Sequence, residues 1–157
     1  NLKESREFRR AHPDHVLRTR YVDRWKPTDE GGVIAKSRIV ILGFQDPQVY
    51  QLERSAPTPT NEGFTTIMQY MASNKYRCRS SDIKNAFGQA RKTSRQIPIC
   101  GMIPPGGIPG RDLHPDQLLI AETEVYGLIS GPSWLRQSLV VDFESMGYVR
   151  NPIINAC

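Results

Sequence analysis

The sequence is poor in cysteine, which limits the kinds of site it can carry. Its three cysteines are an odd number and none belongs to a Cys-x-x-Cys pair: Cys78, Cys100 and Cys157. This pattern argues against a disulfide framework and against a structural zinc site. His12 and His15 stand three residues apart and can share a helical face, but no nearby Cys or further His completes a zinc site.

Long apolar runs are also missing from the sequence. No stretch approaches the roughly 18 apolar residues that a membrane-spanning helix needs. The segment from Asn1 to Ser5 lacks the apolar core of a secretory signal peptide. We therefore expect an intracellular protein that is not secreted and has no membrane partner.

Acidic residues are scarce around one segment of the chain. Residues 75–95 carry the single acid Asp82 and seven basic side chains: Lys75, Arg77, Arg79, Lys84, Arg91, Lys92 and Arg95. Residues 1–38 carry ten Lys or Arg against six Asp or Glu, whereas residues 96–157 carry three against six. Such clustering is typical of a surface that faces phosphate groups. The alternative is an ordinary solvated surface.

Length and patterning predict one domain that mixes helices and strands, with an antiparallel sheet and packed helices. The 157 residues are enough for a single domain with its own core. Residues 1–15 show no periodicity and are expected to form a flexible or helical leader. Residues 16–25 and 33–44 flank the turn residues 29–32, which predicts a β-hairpin.

Two amphipathic helices are predicted farther along the chain. The first has an apolar stripe at helical spacing, which we expect to lie in the core: Phe64, Ile67, Met68, Met71 and Ala72. The second starts near Pro132 and ends before Gly147, because Pro favours the first turn of a helix and Gly the position after its end.

Short apolar runs predict the remaining strands: residues 76–83, 97–103, 118–121, 124–129 and 148–154. Cys78, which alternates with Arg77 and Arg79, is expected to face the core from the first of these strands. The Gly- and Pro-rich residues 104–110 lack the Gly-Lys-Ser/Thr of a phosphate-binding loop, so they are interpreted as turns.

The run from Ser81 to Phe87 places one carboxylate, Asp82, at the end of a predicted strand and an aromatic ring five residues later. This run resembles the first palm motif of reverse transcriptases from copia-type retrotransposons. The resemblance continues in order from about Val16 onward. The matching segments are Arg20–Lys26, Ala35–Gln45, Glu53–Pro57, Pro104–Gly106, Tyr126–Trp134 and Gly147–Tyr148.

The resemblance implies the fingers and part of the palm of an RNA-directed DNA polymerase. This enzyme transfers deoxynucleotides to a primer 3′-hydroxyl with two Mg²⁺ ions. Asp82 would be a catalytic residue and metal ligand, and Phe87 would exclude the 2′-hydroxyl of ribose. The implied deoxynucleotide-binding residues are Lys36, Arg38, Ile83, Ala86, Phe87, Gly131 and Pro132. The implied nucleic-acid-binding residues are Arg77, Arg79 and Lys84.

The implied partners are an RNA or DNA template-primer, a deoxynucleoside triphosphate and the remainder of the Pol polyprotein. The implied location is a cytoplasmic retrotransposon particle or the nucleus. Arg38 is the best candidate for a triphosphate contact, because a guanidinium presents forked donors to phosphate oxygens. The alternative for Arg38 is an exposed strand arginine without a ligand.

The sequence also departs from the family. It contains no Tyr-x-Asp-Asp, the hairpin motif that supplies the other two carboxylates in the family. We therefore interpret it as truncated before that hairpin and expect it to be inactive alone. Gly88, Ser130-Gly131 and Ser94-Arg95-Gln96 replace residues that the family usually has. Three hypotheses remain: part of an active reverse transcriptase, a non-catalytic basic nucleic-acid-binding remnant, or an unrelated basic α+β domain.

Overall fold

The computed structural model describes residues 1–149, which form an α+β fold with two separate sheets. The first sheet has three strands in the order β1-β4-β5: Val16–Leu17, Cys100–Met102 and Leu118–Ile120. The β1 and β4 strands are parallel, and β4 and β5 are antiparallel. The expectation of a wholly antiparallel sheet was therefore wrong for β1, which reaches the sheet by a long connection.

The second sheet is the predicted hairpin. It pairs β2, Thr19–Pro27, with β3, Val33–Ile41, over nine antiparallel residue pairs. The turn between them closes with a hydrogen bond from the Thr28 amide to the Gly32 carbonyl, 2.8 Å long. Gly31 has φ of 81°, a conformation that glycine adopts without strain. The residues that the sequence predicts as the turn therefore form it.

A small core lies where the two sheets meet. It consists of buried residues from β1, the end of β3, the position before β4 and the loop after β5: Leu17, Ile41, Ile99, Ala121 and Leu128. Cys100 is also buried, and burial raises the pKa of its thiol. The base of the hairpin is thus fixed to the three-stranded sheet, whereas its far end is exposed, with Trp25 77% accessible.

Four α-helices occur within residues 1–149: α1 Leu2–Ala11, α2 Asn61–Ser73, α3 Ala86–Gln89 and α4 Gly131–Ser145. The leader thus contains a helix. Its side chains contact the turn before β5, because Arg6 Nη2 lies 2.8 Å from Asp116 Oδ2. None of these helices has the length and apolar character required to cross a bilayer.

Helices α2 and α4 form where the sequence predicts them, but the expected burial of α2 was wrong. Helix α2 buries no residue, and Phe64 and Met68 are 60% and 41% accessible. The apolar spacing fixed the helix and its face, but no element within residues 1–149 covers that face. Helix α4 has Pro132 in its first turn, and Gly147 follows its end with φ of 88°.

Two predicted strands are absent from the described residues. Residues 76–83 are irregular and exposed, so Cys78 does not face the core. Their β-forming side chains find no partner strand there, and β propensity acts only through such pairing. Residues 124–129 form turns around Gly127 instead of a strand. Tyr148 and Val149 are irregular, and the rest of the predicted strand 148–154 lies outside the described residues.

Candidate functional site

One face of the hairpin forms a basic groove. Side chains of directly paired residues lie on the same face of a sheet, so the pairs Val22–Arg38 and Arg24–Lys36 share this face. Lys26 is the next residue on the same face. The groove has a volume of about 570 Å³ and is lined by these side chains together with Trp25, Val40, Tyr126 and Gly127. Among residues 1–149, no acidic side chain lines this groove.

The ring of Tyr126 closes the inner end of this groove. The guanidinium carbon of Arg38 lies 5.0 Å from the centroid of the Tyr126 ring, a cation–π contact. The Phe87 ring lies on the same tyrosine, with a centroid separation of 4.5 Å and an interplanar angle of 59°. Tyr126 therefore joins two residues, Arg38 and Phe87, that the sequence assigns to nucleotide binding.

Backbone contacts hold Tyr126 against the hairpin. The Ile41 amide donates to the Tyr126 carbonyl over 3.1 Å, and the Gly43 amide donates to the Gly127 carbonyl over 3.2 Å. Gly127 has φ of 96°, and a Cβ atom there would lie 1.9 Å from the Ile41 carbonyl oxygen. Only glycine fits at this position, because the two backbones touch.

The start of α4 packs against Phe87. A Cβ atom on Gly131 would lie 3.2 Å from Phe87 Cε1, so the ring rests on the backbone of this turn. The Thr123 hydroxyl donates to the Phe87 carbonyl over 3.0 Å, which fixes the backbone of α3. Pro132 lines an adjoining apolar cleft of about 400 Å³ together with Phe87 and Leu135. Arg38, Phe87, Gly131 and Pro132 thus form one continuous region around Tyr126.

A buried ionic cluster anchors the loop that carries Tyr126. Arg95 Nε donates to Glu124 Oε1 over 2.6 Å, and Arg95 Nη2 lies 2.8 Å from Asp46 Oδ2. The side chains of Arg95, Asp46 and Glu124 are 5%, 0% and 4% accessible. Glu124 also accepts hydrogen bonds from the hydroxyls of Thr93 and Ser130. The cluster therefore ties residues 93–95 and the turn at Asp46 to the loop before α4.

The cluster shifts the pKa of both Glu124 and Arg95. Burial alone would raise the pKa of Glu124, but hydrogen bonds from Arg95, Ser130 and Thr93 favour the carboxylate and lower the pKa below its ordinary value of 4.5. Burial alone would lower the pKa of Arg95, but hydrogen bonds to Glu124 and Asp46 outweigh it and raise the pKa. Glu124 and Arg95 are therefore both charged at neutral pH.

Asp82 and the residues assigned to nucleic-acid binding lie apart from this ordered region. Arg77, Arg79, Asp82 and Lys84 are exposed in the irregular segment between α2 and α3. No group of three His, Cys, Asp or Glu side chains that could hold a metal ion occurs in residues 1–149. The metal-ligand role of Asp82 stays a prediction.

Ile83 and Ala86 line a second apolar cleft, of about 290 Å³, against the Leu135–Phe143 side of α4. Ile83 follows Asp82 directly in the chain, and Ala86 comes three residues later, after Lys84 and Asn85. Asn85 has φ of 53°, a left-handed conformation that turns the chain into α3. This turn gives residues 83–87 a contact with α4 that the preceding segment does not have.

The basic cluster of residues 75–95 divides into two parts. Arg91 pairs with Asp142 over 2.7 Å, Lys92 with Glu122 over 3.4 Å, and Arg95 is buried in its ionic cluster. Because Arg95 is buried, the expectation that it contributes to a phosphate-facing surface was wrong, whereas Arg91 and Lys92 stay exposed, each beside one acid. The part that remains consists of Lys75, Arg77, Arg79 and Lys84.

Comparisons with family models, with curated proteins and with solved structures found no match to this chain. The candidate site therefore depends on its own geometry and on the sequence resemblance. Sequence reasoning missed the ionic cluster, whose members are 29 or more residues apart. One signal was available, because Glu124 stands inside the apolar run from Leu118 to Ile129, where an acid is expected to be buried and paired.

Proposed function

We propose that this chain is the fingers and part of the palm of a copia-type reverse transcriptase, from the Pol polyprotein of a retrotransposon. Its reaction is nucleotidyl transfer: a primer 3′-hydroxyl attacks the α-phosphorus of a deoxynucleoside triphosphate, the new phosphodiester bond forms and pyrophosphate leaves. In this proposal Arg38 and Lys36 bind the triphosphate, and Phe87 lies under the sugar.

The observation that supports the proposal most is the contact of Tyr126 with both Arg38 and Phe87. These two residues are 49 positions apart, and the resemblance assigns both to the nucleotide. Gly131, assigned to the same ligand, lies against Phe87. A phosphate-binding cation beside a sugar-sized aromatic surface is the arrangement that binding of a nucleotide requires.

The metal part of the reaction needs ligands beyond those described. Two Mg²⁺ ions about 4 Å apart require several carboxylates in addition to substrate oxygens. Asp82 supplies one, and residues 1–149 contain no cluster that completes the set. The described residues therefore do not form the two-ion site by themselves. We propose that the remainder of the Pol polyprotein supplies the other ligands, and we expect this chain alone to give only background primer extension.

Calorimetric titration of the 157-residue chain with dCTP and with CTP tests the proposal. Arg38→Ala should weaken dCTP binding about ten-fold or more, because a charge-assisted hydrogen bond is lost. Arg10→Ala removes an exposed arginine from α1 and is the matched control, so its affinity should equal that of the unmodified chain. Phe87→Ala should reduce the preference for dCTP over CTP.

The unmodified chain must bind dCTP for the proposal to stand. Equal weakening by Arg38→Ala and Arg10→Ala would mean that only net charge matters. Binding of neither nucleotide would remove the nucleotide site altogether. Either result contradicts the polymerase assignment of the groove.

A second candidate function is non-catalytic binding of single-stranded nucleic acid. The specific observation is the groove itself: Arg24, Lys26, Lys36 and Arg38 line it without an acidic neighbour, and Trp25 is exposed at its edge. Cations that track phosphates and aromatic rings that stack on bases are the two elements of sequence-independent single-strand binding.

Salt-dependent binding of a 20-nucleotide oligo-dT separates the two candidates. Each lost phosphate contact should flatten the slope of log affinity against log salt concentration by about 0.7 for a single strand. We expect Arg24→Ala with Lys36→Ala to reduce the slope by about twice that amount. Lys3→Ala with Arg10→Ala, which removes equal charge from α1, should leave the slope nearly unchanged. Oligo-dT binding without dCTP binding would favour the second candidate over the first.

A further inference from the structure

We propose that Tyr126 is a positioning residue: its ring orients the guanidinium of Arg38 so that the guanidinium binds a polyphosphate group. This inference deepens the proposed function and depends on it, since it assigns the same groove to a triphosphate. In the sequence Tyr126 opens the matching segment Tyr126–Trp134, but the resemblance assigns it no contact with Arg38.

Arg38 makes no side-chain hydrogen bond or ion pair within residues 1–149, so its N–H donors are available. A guanidinium that lies over an aromatic face uses its π surface for that contact, and its N–H donors point outward in the plane of the group. The Arg38 guanidinium carbon is 5.0 Å from the Tyr126 centroid, and the side chain is exposed on the groove. Within residues 1–149 no carboxylate lines the groove to compete for those donors.

The ring that orients Arg38 is itself held firmly. Its backbone carbonyl accepts from the Ile41 amide of β3, and the Phe87 ring packs on it at 4.5 Å. Two residues earlier, Glu124 is fixed in the buried cluster with Arg95. A fixed ring reduces the conformational entropy that Arg38 loses when it binds an anion, because its rotamer is already restricted.

A second cation–π pair in the same chain, Arg54 with Tyr50, provides a comparison for the pair of Arg38 and Tyr126. Arg54 lies 5.7 Å from the centroid of Tyr50, but its Nη2 donates to the Val49 carbonyl over 2.6 Å. Tyr50 is 90% accessible, so this pair stays on the open surface. Arg54 thus uses a donor within its own turn, whereas the Arg38 side chain lines the basic groove. The Tyr50 pair is therefore the matched control.

Titration of the 157-residue chain with sodium tripolyphosphate tests the inference. Tyr126→Leu should weaken binding by about two- to five-fold, the range expected for one exposed cation–π contact. Tyr126→Phe keeps the ring and should bind like the unmodified chain, and so should Tyr50→Leu. In an Arg38→Ala background, Tyr126→Leu should have no further effect on the residual binding, because the cation that the ring orients is already absent.

The outcomes distinguish the inference from the function on which it depends. If tripolyphosphate does not bind, or binds equally well after Arg38→Ala, both fail. If binding depends on Arg38 but Tyr126→Leu equals Tyr126→Phe, the inference alone is overturned. A loss that persists in the Arg38→Ala background would show a general structural effect and also overturn it.

A measurement on the unmodified chain applies even if Tyr126→Leu does not fold. The Arg38 side-chain N–H signals should carry a ring-current shift from Tyr126 in the free protein. We expect this shift to remain after tripolyphosphate is added, while the N–H signals sharpen as the group becomes fixed. If the shift disappears on binding, Arg38 leaves the ring to reach the anion, and Tyr126 does not position it.

Discussion

The Arg95 and Glu124 side chains are 5% and 4% accessible, and each has several partners in the buried cluster. Asp82, the candidate catalytic carboxylate, lies in an exposed segment without regular structure. The groove around Tyr126 and the segment around Asp82 are therefore two differently built regions of the chain. The first part is fixed by contacts within the described chain, and the second is not.

This difference in how firmly the two regions are held determines which steps of the proposed function each region can perform alone. Recognition of a phosphate or a ring needs side chains at fixed separations, and the Tyr126 region supplies these. Metal-dependent chemistry needs carboxylates held to within a fraction of an ångström, which an irregular exposed segment does not provide. Ligand binding should therefore survive in this chain where catalysis does not.

Hydrogen exchange should give the largest difference between the two parts. The Ala121 amide, which donates to the Ile99 carbonyl over 2.9 Å in the core, should exchange only on global unfolding, at a cost of about 5–15 kcal/mol. Amides 77–83 should exchange at nearly the rate of an unfolded peptide. Strong protection across residues 77–83 in the isolated chain would mean that another segment pairs with them.

Removal of Glu124 should destabilise the fold next most strongly. Glu124→Ala leaves Arg95 buried with one of its two acidic partners missing, and breaking such a pair costs about 3–5 kcal/mol. The matched control is Asp142→Ala, which breaks an ion pair whose side chains are 54% and 50% accessible. That change should cost less than about 1 kcal/mol. Equal urea midpoints for the two variants would contradict the buried role of Glu124.

Acid should weaken the buried part selectively. The pKa of Glu124 is lower in the folded chain than its ordinary value of 4.5. Its contribution to stability is therefore present above 4.5 and lost as the pH falls through the lower folded pKa. Urea unfolding between about pH 6 and about pH 3, a span that covers the titration of carboxylates, should show this loss. The Glu124→Gln variant should be less stable than the unmodified chain at neutral pH. Its free energy of unfolding should also change less with pH across that range.

Phe87→Ala should have a smaller effect on stability than truncation of a core residue. The Phe87 ring is half-buried between Tyr126 and Gly131, so its loss should cost less than the roughly 3–5 kcal/mol of a fully buried phenylalanine. Leu128→Ala, at a position 4% accessible, is the comparison and should cost about 2–5 kcal/mol. A larger loss for Phe87→Ala with an unchanged preference for dCTP over CTP would make Phe87 a core residue only.

The sequence predicts those elements whose signals are local. The hairpin follows from alternation around Gly31, and α4 follows from Pro132 at its start and Gly147 after its end. The same local reasoning predicts a strand at residues 76–83 that does not form within the described chain, because a strand also needs a partner. Local reasoning also predicts the apolar stripe of α2 correctly, but it does not predict whether another element covers that stripe.

The arrangement of the candidate site is less predictable for the same reason. Asp46 and Arg95 are far apart in the chain, and the sequence around either residue does not predict a contact with the other. Tyr126 gains its contacts with Arg38 and Phe87 only because Gly127 lets the loop touch β3. The resemblance assigns Arg38, Phe87 and Gly131 separately, and although it includes Tyr126 in a matching segment, it does not predict that the Tyr126 ring contacts Arg38 and Phe87.

The close approach of Gly43 and Gly127 has a consequence for motion. A Cβ atom on Gly43 would lie 2.1 Å from the Gly127 carbonyl oxygen, so no side chain cushions the two backbones. Sliding or rotation between them would break the hydrogen bonds that join the end of β3 to the Tyr126 loop. The base of the hairpin and this loop therefore move as one rigid body. If the hairpin closes over a ligand, the bending must therefore occur in its exposed outer half, between Arg38 and the turn. Arg38 itself lies near the fixed base of the hairpin.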